Sequence, residues 1–495
     1  MAEDIINWAF YYKIKISGSF CQIERIFLLI RRILRILFDV DPDDRLDLFR
    51  LFPLLKAVFR DRRVHASIRT FGDIAFTFII FSGLFGPQDP RKNCAIFLSW
   101  GIWWPFLIFS WFFLGRMWCG FCPFPGIGRV IQKLGLVRYR PIPKSFNKYG
   151  IYWAVGLFAL IIWLEESTGI KDSPRATAFL ILSILLGATI SSVFFPLQAW
   201  CRYLCPMGRM TGVAATLAIV EFRPDHDKCR GCETFACKRG REGTYGCPVY
   251  FGAFGVHNNL DCLVCGRCVA LCDKDSPRLN LRSPFSELIL NKGRFITCSF
   301  IIPFLMGSQL ARFVNHGPLD IKAMCQGGMV CNMAVFSLFL LLGFLYALSY
   351  IRVGAYTFGV TEDEAFGRFS PMVPIFVPMA FAGELIERLD YMLSHASDFL
   401  PTIGRQFGLD FMLGLHFSIP VWVLPFLDIS VMASSTIAGL YVLYKFINGD
   451  FQGLISKLRY RAVQCLIVLM SASYFSLLPI WGHLRGVVFL DRLFS

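Results

Sequence analysis

The chain reads as an α-helical polytopic membrane protein of about nine spans, with a cysteine-rich cytoplasmic unit inserted between the fourth and the fifth. Three observations predict this. The 495 residues are 55% hydrophobic and 16% aromatic, with a mean hydropathy of +0.53, which is oilier than a soluble chain of this length. Apolar stretches of about 20 residues recur, each long enough to cross a bilayer. Eight of the 18 cysteines fall between Cys229 and Cys272, where the apolar stretches are interrupted.

Residues 1–67 form a cytoplasmic or interfacial segment. Met1 to Trp8 carries Glu3 and Asp4 and does not read as a secretory signal. From Glu24 to Phe38, basic and aliphatic residues alternate at helical spacing, with Arg25, Arg31, Arg32 and Arg35 on one face. Such a helix either lies in the cytoplasmic interface or packs on the protein's own membrane body. Residues 68–221 form a four-span module, with spans near 68–86, 94–115, 151–168 and 176–198. The cysteine-rich unit occupies 222–292. Two spans, 294–314 and 332–352, fill 293–352. The C-terminal region, 353–495, holds about three more, at 371–391, 415–446 and 463–483. The eighth is overlong, so it is either tilted or broken at Pro420 and Pro425.

Basic residues set the orientation. The loop 116–150 holds Arg116, Arg129, Lys133, Arg138, Arg140, Lys144 and Lys148 and no acid, which marks it as cytoplasmic. Glu165, Glu166 and Asp172 lie on the opposite side, and Lys457, Arg459 and Arg461 place 449–462 inside. The expected location is the cytoplasmic (inner) membrane, with the N-terminus and the cysteine-rich unit in the cytoplasm. Basic cytoplasmic loops also account for the net charge of +15 without nucleic acid.

The run Cys262-x2-Cys265-x2-Cys268-x3-Cys272 has the spacing of a cluster-binding segment in a two-cluster ferredoxin. A stretched partner, Cys229-x2-Cys232-x4-Cys237-x9-Cys247-Pro248, precedes it. Ferredoxin pairing implies two 4Fe-4S clusters: cluster I on Cys229, Cys232, Cys237 and Cys272, and cluster II on Cys262, Cys265, Cys268 and Cys247. Four-cysteine zinc sites also use CxxC pairs, but an unbroken CxxCxxCxxxC run favours iron–sulfur. Asp273 stands where proline is expected, and the first run carries an insertion, Lys238–Gly246. Its Lys238, Arg239 and Arg241 either steer an acidic redox partner, such as a ferredoxin or flavodoxin, or form a solvated loop.

Two further motifs end apolar spans and begin basic stretches: Gly115-Arg-Met-Trp-Cys119-Gly-Phe-Cys122-Pro123 and Trp200-Cys201-Arg-Tyr-Leu-Cys205-Pro206. Two crossings separate them, so both lie on the cytoplasmic face. Cys119, Cys122, Cys201 and Cys205 are expected to hold a third iron–sulfur cluster, to act as a redox dithiol or copper or zinc site, or to be structural.

Paired membrane-face cysteine–proline motifs followed by a dicluster segment resemble the NapH/NosR/CcoG-type membrane polyferredoxins, 4Fe-4S ferredoxin integral membrane proteins, over roughly residues 68–350. Cys201-x3-Cys205-Pro206 fits that family's CxxxCP pattern, whereas Cys119-x2-Cys122-Pro123 is one residue short. The resemblance implies electron relay between the quinone pool, or a cytoplasmic donor, and a partner redox protein, as one subunit of a membrane oxidoreductase complex without a substrate-converting site of its own. A CcoG-like metal-reducing assembly factor and a redox sensor are the alternatives.

Weaker signals remain. His416 and His483 lie near outer span ends, with His316 and His395 in outer loops, but isolated histidines there are usually interfacial, so haem b is disfavoured. Glu384, Glu387 and Arg388 sit within the seventh stretch; the simpler reading is that the span ends near Gly383 and leaves them wet. Cys325 and Cys331 share an outer loop and either pair or grip a metal, while Cys21, Cys94, Cys298 and Cys465 read as apolar packing residues. No nucleotide or protease motif is present.

Overall fold

A computed structural model describes residues 28, 30–37, 45–136, 140–195, 199–241, 244–290, 298–316, 325, 328–358, 372–416, 419–420, 422–448 and 456–478. Glu24, Arg25, Cys21, His483 and most of the 353–371 loop lie outside them.

Among the described residues, seven helices are long and apolar enough to cross a membrane: Arg62–Phe85, Cys94–Leu114, Tyr149–Ser167, Pro174–Phe194, Met329–Phe358, Val423–Asn448 and Lys457–Leu477. Local chemistry sets their starts. The Asp61 carboxylate accepts the Arg63 N–H at 2.8 Å, Ser173 caps the helix that Pro174 opens, and Ser456 caps the last. The long helix of the eighth stretch begins at Val423, after Pro420, and Pro425 sits in its first turn, where proline is tolerated.

The fifth and seventh expected spans also form helices, Cys298–His316 and Met372–His395, but they fall outside that set of seven. Their polar residues lower the apolar content, and every one of Ser308, Gln309, Arg312, Glu384, Glu387 and Arg388 is buried. From Met372 to Arg388 no residue reaches the surface. These two helices form the centre of the bundle, and the Gln309 amide donates to the Ala380 carbonyl at 2.6 Å between them. The expectation that the seventh span ends near Gly383 is therefore corrected: the helix continues to His395 because Glu384, Glu387 and Arg388 find buried partners rather than water.

Helix Cys298–His316 crosses Met329–Phe358 at two glycines. A Cβ on Gly307 would fall 2.4 Å from the Phe344 nitrogen, and one on Gly343 would fall 2.3 Å from the Gly307 carbonyl oxygen. Small residues permit this backbone contact, which supplies close packing where lipid offers no hydrophobic drive. Cys325 and Cys331 are joined by a disulfide in the connection between these helices.

The cysteine-rich unit is built on a three-stranded antiparallel sheet in the order β1 (Leu46–Asp47), β3 (Pro277–Leu281), β2 (Val220–Pro224). Leu46 pairs with Leu281, and Val220 pairs with Leu281 from the other side. The unit is thus not a simple insert at 222–292, because residues from the N-terminal segment complete it. Phe49 and Phe59 pack with Phe222, Val264 and Val269, and Lys56 pairs with Asp275 at 2.5 Å. A single strand edge and one apolar sheet face explain why the N-terminal segment folds here. The helical residues 30–37 contribute the buried Ile36, and the Leu37 carbonyl accepts from Ser283 at 3.1 Å, so this end packs on the protein itself.

A charged hub fastens the unit to the spans. Glu221 lies 2.9 Å from Arg45 and 2.7 Å from Arg223, Glu287 lies 2.8 Å from Arg282, and Arg282 donates to the carbonyls of Ala215, Thr216 and Ala218.

Substituting Gly307→Val will separate the two central helices, lowering the melting temperature of the detergent-solubilised protein. Gly156→Val, at a span position with no atom within 4 Å, will leave it nearly unchanged. Equal effects of the two substitutions would refute the glycine crossing.

Candidate functional site

The second span runs through a wide, π-helical stretch, Phe97–Trp103, and then an α-helical segment, Trp104–Leu114. Gly115 ends it, and the short helix Met117–Phe121 then presents Cys119, with Cys122-Pro123 immediately after. The other motif is π-helical. Trp200–Leu204 carries Cys201, and the Cys205 N–H bonds to the Trp200 carbonyl at 2.8 Å. Cys205 then serves as N-cap of the helix Pro206–Ala214, its sulfur accepting the Gly208 N–H at 3.3 Å. The Cys-Pro dipeptide has a physical sense here. Proline loses no hydrogen bond at the first helical position, and the cap sulfur sits where the helix end favours negative charge.

Cys119, Cys122, Cys201 and Cys205 all line one cavity of about 90 Å³, walled by Trp100, Trp103, Trp104 and Trp118. Burial pushes the Cys201 thiol up and Cys205 to about 11, and neighbouring thiols push the same way. Arg116 and Arg129 pull Cys201 back down. Thiolates in such a place require cationic iron or another metal to bind them. Among the described residues no three His, Cys, Asp or Glu side chains stand close enough to grip a single metal ion. A tetrahedral zinc with bonds of about 2.3 Å needs its sulfurs within about 4 Å of one another. A cubane, which gives each thiolate its own iron, takes them wider apart.

The cysteines of the two runs lie near one another: Cys229 and Cys237 stand close to Cys272 and Cys232 in a first group, Cys268 stands close to Cys265, Cys262 and Cys247 in a second, and Cys237 also neighbours Cys268. The second group lines a cavity of about 30 Å³, and burial pushes Cys262 to about 12. Hydrogen-bond donors aim at sulfur in both groups. Ala253 N–H reaches Cys237 at 3.4 Å, Ser276 N–H reaches Cys272 at 3.4 Å, Val264 N–H reaches Cys262 at 3.4 Å, and the Ser276 hydroxyl lies 3.1 Å from Cys229. Donors in these positions favour the thiolate and tune a cluster's potential.

The basic insertion is largely spoken for. Arg241 pairs with Asp273 at 2.5 Å, Lys238 lies over the Tyr250 and Phe254 rings, and Arg239 lies over Phe235. The two departures from the ferredoxin pattern, the insertion and Asp273, thus compensate one another.

The membrane-face motif and the ferredoxin loop touch directly. A Cβ on Gly120 would fall 2.2 Å from Cys265 Cβ, so only glycine lets this loop seat between Cys119 and Cys122. Arg267 donates to the Gly120 carbonyl at 3.2 Å, and Arg116 donates back to the Leu260 carbonyl at 2.6 Å. Cys119 packs in the apolar cluster of Val249, Leu263 and Cys265.

Sequence reading missed a second buried constellation. Arg388 binds the carboxylates of Glu165 and Glu384, Arg312 lies 2.5 Å from Glu384, Lys171 lies 2.9 Å from Glu165 and 2.8 Å from Glu166, and Asn315 donates to Glu166 at 3.2 Å. The Arg388 guanidinium sits 5.2 Å from the centroid of Trp104, whose ring also walls the thiol cavity. The available signal was charge of both signs inside apolar stretches, Arg312 in one against Glu384 and Glu387 in another. Of the outer histidines, His395 bonds to the Tyr391 carbonyl of its own helix, and His483 lies outside the described residues.

A protein-family profile described as a 4Fe-4S binding domain matches residues 96–141 and 177–218, the two segments that carry the cysteine–proline motifs. This supports an iron–sulfur protein of the ferredoxin type with a membrane-embedded body. Two uncharacterized proteins of Methanocaldococcus jannaschii are similar. One is 28% identical over 170 residues, covering 33% of this chain and 63% of the relative. The other is 24% identical over 181 residues, covering 33% and 71%. The chain therefore spans less than two thirds of the first relative. No solved structure matches.

Gly120→Ala will force the Cys265 loop away, a strain of about 1–3 kcal/mol. Iron per chain and the EPR spectrum of the anaerobically purified protein will both change, whereas Gly156→Ala will alter neither. Arg388→Met, by leaving Glu165 and Glu384 buried with one fewer cation, will cost about 3–5 kcal/mol. Adding Glu165→Gln will recover part of that loss in thermal unfolding, and a double variant no more stable than the single would refute the coupling.

Proposed function

We propose that this chain is a membrane-bound iron–sulfur electron-transfer subunit, relaying single electrons between a cytoplasmic partner or the quinone pool and another redox protein of a membrane complex. The proposed route runs through cluster I on Cys229, Cys232, Cys237 and Cys272, cluster II on Cys247, Cys262, Cys265 and Cys268, and a third cluster on Cys119, Cys122, Cys201 and Cys205. The observation that carries this reading is the seating of Cys265 on Gly120, which puts a ligand of the second group against the backbone of the third.

Iron–sulfur clusters supply reversible one-electron exchange when bound. The chain's own residues do the rest. The four tryptophans keep water from the membrane-face thiols, which strengthens every charge interaction there. Arg116 and Arg129 offset thiolate charge, and the N–H groups at Cys205, Cys237, Cys262 and Cys272 hold sulfur negative. At the cytoplasmic end Cys232 is partly exposed, and a groove of about 660 Å³ lined by Arg32, Arg50 and Arg278 lies beside Asp225 and His226. With Arg32, Arg45, Arg50, Arg223 and Arg278 against Asp47 and Asp225, that groove is net positive and suits an acidic donor such as a ferredoxin or flavodoxin.

The test is iron and sulfide quantitation on anaerobically purified protein, with EPR before and after adding a quinol. About twelve irons per chain and a quinol-reducible signal are expected, and Cys119→Ser/Cys201→Ser will remove about four of them. About eight irons in both proteins would confine the clusters to the ferredoxin unit and return the membrane-face thiols to a metal-handling or dithiol role.

A further inference from the structure

A second, larger cavity opens beside the thiols, between the first span, the helix Gly126–Lys133 and the ferredoxin unit. Its volume of about 550 Å³ is that of a ligand site. Its upper wall carries four guanidinium groups, Arg62, Arg69, Arg129 and Arg267, together with His65. Among the described residues that line it, Asp73 is the only carboxylate. Arg129 and Arg267 are 7% and 5% exposed, so this is a like-charged cluster largely removed from water. Burial and the nearby Arg267 both pull the Arg129 guanidinium below its ordinary range. Two buried guanidinium nitrogens on this wall have no hydrogen-bond partner: Arg129 Nη2 and Arg69 Nε. Clustered cations with open donors are costly alone and are satisfied together by one multivalent anion.

The rest of the cavity is apolar. Lining residues run down one face of the first span from Arg62 to Ile80, about 27 Å at 1.5 Å per residue. Phe76, Ile80, Phe124, Val130 and Leu185 form the lower wall, and Val130 is exposed at its edge. Leu185 lies midway along the fourth span, so this end sits at membrane depth while the arginines sit at the cytoplasmic face. A soluble anion would use only the upper half.

We propose that this cavity is a binding site for an anionic membrane lipid, its phosphate held by Arg69, Arg129 and Arg267 and its chain laid over Phe76, Ile80 and Leu185. Basic pockets between spans on the cytoplasmic side suit such head groups. The site also touches the redox junction. His65 stacks on Phe121, between Cys119 and Cys122, with ring centroids 5.9 Å apart, and Arg267 lies between Cys265 and Cys268. A lipid bound there braces the ferredoxin unit against the spans. The proposal stands independently of where electrons come from.

The test is native mass spectrometry of the full chain, equilibrated in mixed micelles of phosphatidylglycerol and phosphatidylcholine and then washed. One phosphatidylglycerol should be retained per chain, in preference to phosphatidylcholine. Arg62→Gln/Arg69→Gln should retain about tenfold less at unchanged iron content. Arg230→Gln, on an exposed surface away from the cavity, should behave as wild type. If the double variant does not fold, the wild-type selectivity and single Arg69→Gln carry the test. No preference between the lipids, or undiminished retention in the folded variants, overturns the proposal. Thermal protection by millimolar inorganic phosphate without any lipid preference also overturns it, by assigning the arginines to a soluble phosphate.

Discussion

The contact of Gly120 with Cys265 joins two chemically different bodies, an apolar bundle of helices and a small polar unit stapled by cysteines. A methyl group at Gly120 would lie 2.2 Å from Cys265 Cβ, so the approach is set by the absence of a side chain. Two arginines, Arg116 and Arg267, close the seam by donating to carbonyls across it. The seam sets Cys265, one of the eight clustered cysteines, directly against the backbone between Cys119 and Cys122.

Burial is the second constraint, and it acts twice. At the membrane face it makes free thiolates unfavourable and so couples occupation of the site to the charge of the group bound there. In the bundle core it compels Glu165, Glu384, Arg312 and Arg388 to satisfy one another, since lipid supplies neither water nor counter-ions. Trp104 stands between these regions, walling the thiol cavity on one side and facing Arg388 on the other.

The match to a 4Fe-4S binding domain falls on the membrane-face motifs, residues 96–141 and 177–218, rather than on the eight-cysteine unit. The cysteine–proline motifs therefore carry a cluster-binding signature of their own, separate from the ferredoxin run. Their π-helical approaches, at Phe97–Trp103 and Trp200–Leu204, widen the backbone just where tryptophans and thiols must turn inward.

Sequence alone determined what short-range chemistry dictates. Apolar length placed seven of the nine expected spans, and cysteine spacing marked the candidate ligand groups, because each of these signals lies within one turn or one bilayer crossing. The parity of crossings even put both cysteine–proline motifs on one face. Only the tertiary structure decided the rest. It paired Leu46–Asp47 into the ferredoxin sheet and packed Phe49 and Phe59 against it, buried Glu384 and Arg388 at the bundle centre, seated Cys265 on Gly120, and turned four arginines from three separate segments onto one cavity. Each of these joins residues far apart in the chain, and a charge or a glycine read in isolation does not reveal the partner that gives it meaning.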